Sequence, residues 1–341
     1  MPTEIVKYVD PDGGILADYT SLQAAITAEK AIRSNLVARD EVLKLMCISS
    51  AGSPDTTPVV INSGDFVTDA TRKIVVKGDN STGIWDAAKY CIIATTNAIT
   101  VNIGNILFQN LQLEVVSYTT PVYCILQSNT SARTVINNCI FNSYGGAVIR
   151  RGIMIEMNGY AGTNTVIVAN SVFCNFRGAP SSAAIRVYSN ASATTNLYAY
   201  NVTINDSNNG LYVTNNSGVV NVIAKNVITQ NCTDGFNGTF ATGSDYNISD
   251  LAGDAPGANS LNSTTVNFAD AANGDFRLLA GSPGIDQGVD LSADPSYPFN
   301  TAIDGTIRPQ GSAWDIGAFE LIQQSFNPAW AKHSNQIIRA I

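Results

Sequence analysis

Carboxylates and basic side chains that could act together in acid–base chemistry are sparse in the central part of this sequence. Between residues 101 and 250 only 12 residues are charged. The acids there are Glu114, Glu156, Asp206, Asp234, Asp245 and Asp250, and the bases are Arg133, Arg150, Arg151, Arg177, Arg186 and Lys225. General acid–base catalysis needs such groups to converge on one substrate. Glu156 is the best candidate, because Arg150 and Arg151 precede it closely.

A solvated surface role is the simpler interpretation of Glu156. In the repeat alignment described below, its neighbours from other copies are not carboxylates, whereas a glycosidase needs two acids that flank the scissile bond. The sequence therefore predicts no catalytic residue. If the chain is an enzyme, we expect Glu156, Arg150 and Arg151 to form its site.

Metal, thiol and histidine chemistry find little support in the sequence. The six cysteines show no CxxC pair and no metal spacing, which predicts buried free thiols. The single histidine is His333. Aspartates near the C-terminus lie in Gly- and Pro-rich turns without a calcium-loop pattern, where Asp usually bonds its own backbone; they are Asp286, Asp290, Asp294, Asp304 and Asp315. We therefore predict neither a metal nor a cofactor.

Composition excludes several classes of partner. The 341 residues carry a net charge of −8, which disfavours nucleic acid because phosphate binding needs a basic surface. No apolar run approaches the roughly 20 residues that span a bilayer, so no membrane insertion is expected. The first residues lack a charged segment followed by an apolar one, so we expect no standard secretory signal if the native sequence begins at Met1.

Asparagine is unusually frequent, with 35 residues, of which 24 lie between Asn102 and Asn247. The same stretch is rich in Val, Ile, Tyr and Phe, which favour strands. Asparagine tolerates the left-handed backbone conformation of tight turns. This composition indicates short strands separated by corners that contain asparagine.

A repeat of about 30 residues organises this region. Five segments align without gaps, and they span residues 90–105, 123–138, 155–170, 186–201 and 211–226. Each has a strand, a polar loop, a second strand and a closing asparagine, and a third strand follows. The closing residues predict a structural ladder of Asn105, Asn138, Asn170, Asn201 and Asn226.

Two aligned positions are apolar in every copy, and strand alternation predicts that they point inward and stack. One column is Ile92, Ile125, Met157, Tyr188 and Val213, and the other is Ile103, Ile136, Val168, Ala199 and Ala224. The variable positions expected to face outward include Thr100, Arg133, Thr165, Asn196 and Asn221. Cys91 and Cys124 share a further column. Three strands per repeat without a helix predict an all-β fold, a right-handed single-stranded parallel β-helix.

The predicted organisation has four parts. Residues 1–35 form a first strand and a capping helix, whose apolar face comprises Leu22, Ala25, Ile26 and Ile32 after an N-cap at Thr20 or Ser21. Residues 36–250 form the coils. Residues 251–322 form a loop-rich C-terminal cap, and residues 323–341 form a C-terminal arm for docking or oligomer contact.

Motifs at both ends resemble the pectate-lyase-like β-helix superfamily. The N-terminal motif is Tyr8-Val9-Asp10, Gly13-Gly14 and residues 21–26 (SLQAAI), and the C-terminal motifs are residues 273–278 (NGDFRL), 281–286 (GSPGID), 304–309 (DGTIRP) and 314–320 (WDIGAFE). The resemblance covers roughly residues 5 to 322. It implies a β-helix fold but no single chemistry, since the superfamily includes lyases, hydrolases, epimerases, adhesins and viral spikes.

The C-terminal arm is similar to tails of tailed-phage virion proteins. Its apolar residues predict a partner-docking segment made of Phe326, Trp330, Ile337 and Ile338. A strand or arm that folds back on the last coil is the alternative.

The sequence thus favours a non-enzymatic structural component of a tailed-phage particle: a capsid decoration, head fibre or spike protein. We expect a homotrimer that contacts other virion proteins, is assembled in the host cytoplasm and is located in the virion. Binding of a host-surface glycan, through outward tyrosines such as Tyr198 and Tyr200, is a further expectation. The alternative is an extracellular carbohydrate-active enzyme, either a polysaccharide lyase or a glycosidase.

Overall fold

The chain winds into successive coils whose strands stack in parallel, so the molecule is a parallel β-helix, as predicted. A computed structural model describes residues 1–128, 133–158 and 162–323. Each coil contributes to three parallel stacks of strands, which we call sheets A, B and C in the order in which the chain visits them.

The strand pairings define the three sheets. Sheet A contains β1 (Thr3–Val9), β2 (Glu41–Cys47), β4 (Ile74–Lys77), β7 (Ile106–Gln109), β10 (Arg133–Asn137) and parts of β13 (Gly162–Phe176), β14 (Ala183–Ser207) and β15 (Asn209–Lys225). Sheet B contains β5 (Cys91–Ala94), β8 (Gln112–Ser117), β11 (Ile140–Gly145), further parts of β13 and β14, β16 (Ile228–Gln230) and β18 (Ile248–Ser249). Sheet C contains β3 (Val59–Ile61), β6 (Ile99–Val101), β9 (Val122–Ser128), β12 (Arg150–Asn158), the first parts of β14 and β15, and β17 (Asp234–Asn237).

The interior of the coils is a continuous apolar stack. In sheet A one inward column is fully buried and consists of Val76, Phe108, Ile136, Val168, Ala199 and Ala224. The last four were predicted to share a column, and the pairing confirms them. Ile103 was also placed in that column, and this was wrong, since Phe108 is the partner of Ile136.

The first aligned segment, residues 90–105, was shifted by one strand relative to the other four segments. Ile92 and Cys91 lie in sheet B, beside Leu113 and Gln112, whereas Cys124 lies in sheet C. The polar loops differ in length between coils, so an alignment without gaps placed strands of different sheets together. Asn105 therefore belongs to another corner, between sheets C and A.

The register of sheet C also differs from the alignment. Ile125 pairs with Ile153 rather than with Met157, and Tyr188 pairs with Glu156 on the outward side. The inward column is Ile99, Ile125, Ile153, Ile185, Leu211 and Phe236. Apolar residues occur on both sides of these strands, so alternation alone does not fix which side is buried.

Asparagine forms a ladder at the corner between sheets A and B. Its members have positive φ angles of 44–56° and are Asn110, Asn138, Asn170, Asn201 and Asn226. Asn110 takes the place predicted for Asn105. The Asn226 amide donates to the side chain of Asn201 at 2.8 Å, whereas the side-chain oxygens of Asn138 and Asn170 have no partner among the described residues. The members of the ladder thus have the same bent backbone conformation, but their side chains do not form a continuous chain of hydrogen bonds.

Two helices lie near the start of the chain, α1 (Leu22–Arg33) and α2 (Leu36–Arg39). Ser21 caps α1 by accepting a hydrogen bond from the Ala24 amide. Leu22, Ala25 and Ile26 are buried in the coil core, as predicted, but Ile32 is exposed. Neither helix of the described chain is long and apolar enough to cross a membrane.

The segment after the last coil runs back over the outside of the β-helix. It contains an antiparallel pair, β19 (Phe268–Asp270) and β20 (Asp275–Leu278), joined by the 3-10 turn Ala271–Asn273. Phe276 and Phe319 pack on the outward side of sheet B, and Leu291 and Trp314 pack on that of sheet A. Residues 251–322 therefore cover two sheets of the coil stack. The predicted domain boundaries stay predictions.

Candidate functional site

The outward side of sheet C carries a cluster of aromatic and basic side chains. We call it the Tyr–Arg face, and it consists of Tyr123, Arg151, Arg186, Tyr188 and Tyr212. Strand alternation places Arg186 and Tyr188 on this side, because Val187 between them faces the core. The C-terminal segment covers parts of the outward sides of sheets A and B, whereas the tyrosines of this face stay partly exposed.

Each arginine of the Tyr–Arg face lies against tyrosine rings. The Arg151 guanidinium carbon is 5.1 Å from the centre of the Tyr123 ring. The Arg186 guanidinium carbon is 4.7 Å from the Tyr212 ring centre and 5.6 Å from that of Tyr188. Cation–π contacts of this kind hold flat guanidinium groups in place. The two arginines are therefore oriented before any ligand arrives.

Neither guanidinium group forms an ion pair within the described part of the chain. No carboxylate oxygen there lies within 4 Å of Arg151 or Arg186, and the Nε atom of each is buried without a hydrogen-bond partner. Arg151 is only 4% exposed. Burial, together with the nearby Arg186 charge, lowers the pKa of Arg151 to about 10. An anion placed here would gain from both charges.

Glu156 lies on the same outward side as these arginines. It pairs in register with Ser128 and Tyr188, and its carboxylate accepts a hydrogen bond from the Asn158 amide at 2.6 Å. The negative charge of Glu156 acts on Arg151 and offsets part of the lowering of the Arg151 pKa that burial causes. The site therefore holds one carboxylate where a glycosidase needs two.

Arg150 does not belong to the Tyr–Arg face, although it precedes Arg151 in the sequence. Its Nη1 donates to the carbonyl of Gly146 at 3.0 Å, and it lines a cleft at the corner between sheets B and C. The structure thus brings Arg151 and Glu156 to one side of sheet C and separates Arg150 from them.

Several other predicted site residues lie elsewhere. Tyr200 is buried under the C-terminal segment, where its hydroxyl donates to Asp294 at 3.2 Å, and Tyr198 is partly covered with it. These two tyrosines lie on the outward side of sheet A, as expected, but the C-terminal segment packs on that side and buries Tyr200. The predicted docking residues Phe326, Trp330, Ile337 and Ile338 lie outside the described residues, as does His333.

The cysteines and the C-terminal aspartates named in the sequence analysis have structural roles. All six cysteines are buried and free, as predicted. Asp290, Asp294 and Asp304 accept hydrogen bonds from backbone amides two residues further on. Over residues 1–128, 133–158 and 162–323, no group of three His, Cys, Asp or Glu side chains could hold a metal ion.

The sequence contained a weak signal for the Tyr–Arg face that the alignment missed. Arg186 and Tyr188 are two residues apart, so strand alternation predicts that both lie on the same side of one strand. The misaligned column treated Tyr188 as a core residue, and Arg186 was counted only as a scattered base. Correct register would have placed these residues on one side of sheet C.

Comparisons with known proteins give few matches. No family model matches the chain, and no curated protein matches it either. One solved structure, titled "Crystal structure of pectate lyase Pel9A", is similar, with 16% sequence identity and a TM-score of 0.39. The match covers 94% of this chain and 97% of that chain. The β-helix assignment itself rests on the strand pairing described above.

Proposed function

We propose that the chain is a non-catalytic glycan-binding β-helix whose Tyr–Arg face recognises an acidic polysaccharide. The observation that carries this proposal is the pair of oriented guanidinium groups, Arg151 and Arg186, that have no carboxylate partner among the described residues. Arginine binds carboxylates through two parallel hydrogen bonds. A uronate carboxylate would supply the missing counter-ion.

The shape of the surface supports a polymer as the ligand. The Tyr–Arg face is the outward side of a stack of strands, and successive coils are spaced by about 4.8 Å. Arg151 lies on β12, and Arg186 lies one coil further along the axis, in β14. Tyr123, Tyr188 and Tyr212 add apolar ring surface with polar hydroxyls between and beside these charges. A chain of sugars can therefore lie across several coils.

Replacing either arginine by glutamine tests this function. Arg151→Gln and Arg186→Gln should each weaken binding of acidic oligosaccharides by about tenfold to a hundredfold, the worth of a charge-assisted hydrogen bond. Binding is measured by isothermal titration after an array of acidic and neutral oligosaccharides has identified the best ligand. Added salt should weaken the interaction further.

Arg133→Gln is the matched control, because Arg133 lies on sheet A, where it donates to the Ser296 carbonyl. This variant should bind as the unaltered protein does. Equal affinity for neutral and acidic oligosaccharides, or full affinity in both the Arg151 and the Arg186 variant, would contradict the proposal.

The setting that we propose is a tailed-phage particle, with the β-helix as a stiff structural appendage in a homotrimer. It is supported by the low charge of residues 101–250 and by the capped coil stack, which suits an external component. Immunogold electron microscopy of particles tests the location, and sedimentation velocity tests the trimer. A monomer that is never attached to particles would rule this setting out.

A polysaccharide lyase is the second candidate, and the position of Arg151 and Glu156 on one side of sheet C favours it, together with the burial that lowers the pKa of Arg151. In β-elimination a base removes the proton next to the uronate carboxylate. A carbon–carbon double bond then forms as the glycosidic bond breaks, and the leaving oxygen takes up a proton. Ultraviolet absorbance of the unsaturated product detects this reaction, which should vanish in Arg151→Ala or Glu156→Gln. An acidic glycan that stays intact excludes the lyase.

A further inference from the structure

A second polar cleft lies at the corner between sheets B and C, beside the start of β12. We call it the corner cleft; it has a volume of about 510 Å³, and its lining includes Glu114, Asn142, Tyr144, Arg150, Arg177 and Asp206. The Tyr–Arg face shares none of these residues. Arg150, which lines the corner cleft, and Arg151, which belongs to the Tyr–Arg face, are nevertheless consecutive residues at the start of β12.

Arg150 is the unpaired charge of the corner cleft. It is 5% exposed, and its Nε is buried without a hydrogen-bond partner. No carboxylate oxygen of the described chain lies within 4 Å of it, whereas Arg177 forms an ion pair with Asp206 and also donates to the Asn231 carbonyl. A buried cation without a counter-ion is costly, and a bound anion would offset that cost.

Glu114 supplies the acceptor at another part of the cleft. The Asn142 amide donates to its carboxylate at 2.6 Å, and the Asn175 amide donates to the Asn142 oxygen at 2.8 Å. Burial raises the pKa of Glu114. This chain of hydrogen bonds fixes the carboxyl group where a ligand hydroxyl can reach it.

The spacing of the carboxylates argues for binding rather than hydrolysis. In sheet B the register runs from Glu114 through Asn142 and Cys174 to Asn205, which precedes Asp206. Three steps of about 4.8 Å separate the two acids by roughly 14 Å along the axis. Glycosidase carboxyls lie within about 10 Å of each other, so this pair cannot flank one bond.

Two tyrosine rings stand exposed at the cleft. Tyr118 and Tyr144 are 62% and 65% exposed, and their ring centres are 6.3 Å apart in an edge-to-face arrangement. Tyr144 lines the cleft itself. Exposed aromatic rings beside polar groups offer an apolar surface with a hydrogen-bonding end, which suits the mixed surface of a sugar ring.

We infer that the corner cleft binds one acidic sugar residue, with its carboxylate on Arg150, a hydroxyl on Glu114 and its ring against Tyr144. This inference extends the proposed glycan-binding function by naming a second subsite and its ligand class. A branched or long acidic glycan that occupies both surfaces would bind more tightly than either surface alone allows.

Titration with acidic monosaccharides tests this subsite. Glucuronate and galacturonate are titrated into the full chain by ligand-observed NMR, with glucose, galactose, acetate and inorganic phosphate as comparisons. We expect saturable binding of a uronate that Arg150→Gln weakens by about tenfold or more. Arg133→Gln is the control, because it removes the same charge on sheet A, where Arg133 donates to the Ser296 carbonyl, and it should leave this binding unchanged.

Tyr144→Ala provides a second variant that does not disturb a buried group, and it should weaken uronate binding about threefold or more. The subsite is refuted if no uronate saturates, if Arg150→Gln and Tyr144→Ala both bind normally, or if acetate or phosphate binds as well as the uronates. Failure of the proposed function has a different signature, since oligosaccharide binding would then be insensitive to Arg151→Gln and Arg186→Gln.

Discussion

Replacing Glu320 by alanine should disrupt the internal packing of the C-terminal segment and lower the free energy of unfolding by about 3–5 kcal/mol. Glu320 and Arg308 form an ion pair at 2.9 Å in which both side chains are fully buried. The Glu320 carboxylate also accepts hydrogen bonds from the amides of Gln310 and Asp315. Alanine would leave the Arg308 charge buried without its partner, and such a loss exceeds the worth of an exposed ion pair.

Urea unfolding followed by tryptophan fluorescence measures this effect, because Trp314 is buried by the same segment. Hydrogen exchange at the amides of Gly317 and Ala318, which donate to the Asn226 carbonyl and the Thr203 hydroxyl, reports local detachment. Arg277→Ala is the control, since its ion pair with Asp275 is exposed on the arginine side and should matter by less than about 1 kcal/mol. A loss for Glu320→Ala as small as the control would show that the pair does not stabilise the segment.

The fold was predictable from sequence because sheet A obeys strand alternation. Inward positions such as Val168 and Ala199 are apolar, whereas Thr165 and Asn196 in the same strands face outward. The outward pair is joined, since the Asn196 amide donates to the Thr165 hydroxyl at 3.5 Å. The inward column is apolar in every coil, whereas the outward positions mix polar residues with apolar ones such as Ile167, so the inward column identified the register.

Alternation failed in sheet C, where the candidate site lies. Met154 and Tyr188 face outward in strands whose inward positions are also apolar, so the pattern gave no unique phase. The candidate site has aromatic side chains on the outward side, whereas strand alternation predicts polar residues there. Local rules are expected to fail at functional sites.

The covering of sheets A and B could not be predicted either. Tyr200 contacts Asp294, which is 94 residues away, and no repeat period contains that contact. The C-terminal motifs mark turns, but the surface on which they pack depends on apolar outward residues such as Ile167 and Val172. Sequence reasoning thus assigned the coil interior and missed its outer layer.

Replacing Phe173 by alanine should cost about 3–5 kcal/mol of unfolding free energy, through the cavity that it opens between coils. Phe173 is fully buried and stacks on Phe141 of the preceding coil, with ring centres 4.4 Å apart and an angle of 6° between the planes. Gly152 leaves room for this ring, because a Cβ atom there would lie 2.6 Å from Phe173 Cδ1. Because Gly152 has no side chain, it cannot fill the cavity that the loss of the Phe173 ring would leave.

Phe173→Leu is the matched comparison, because it keeps most of the volume and should cost under about 1.5 kcal/mol. Urea denaturation of both variants measures the difference, with the slope m unchanged if the coils still unfold together. Each coil of a solenoid is stabilised by its neighbours, so a cavity in β13 weakens the contacts on both of its sides. Equal stability of the alanine and leucine variants would mean that the coil stack closes around the missing ring, contrary to the tight packing that Gly152 and Phe141 impose on it.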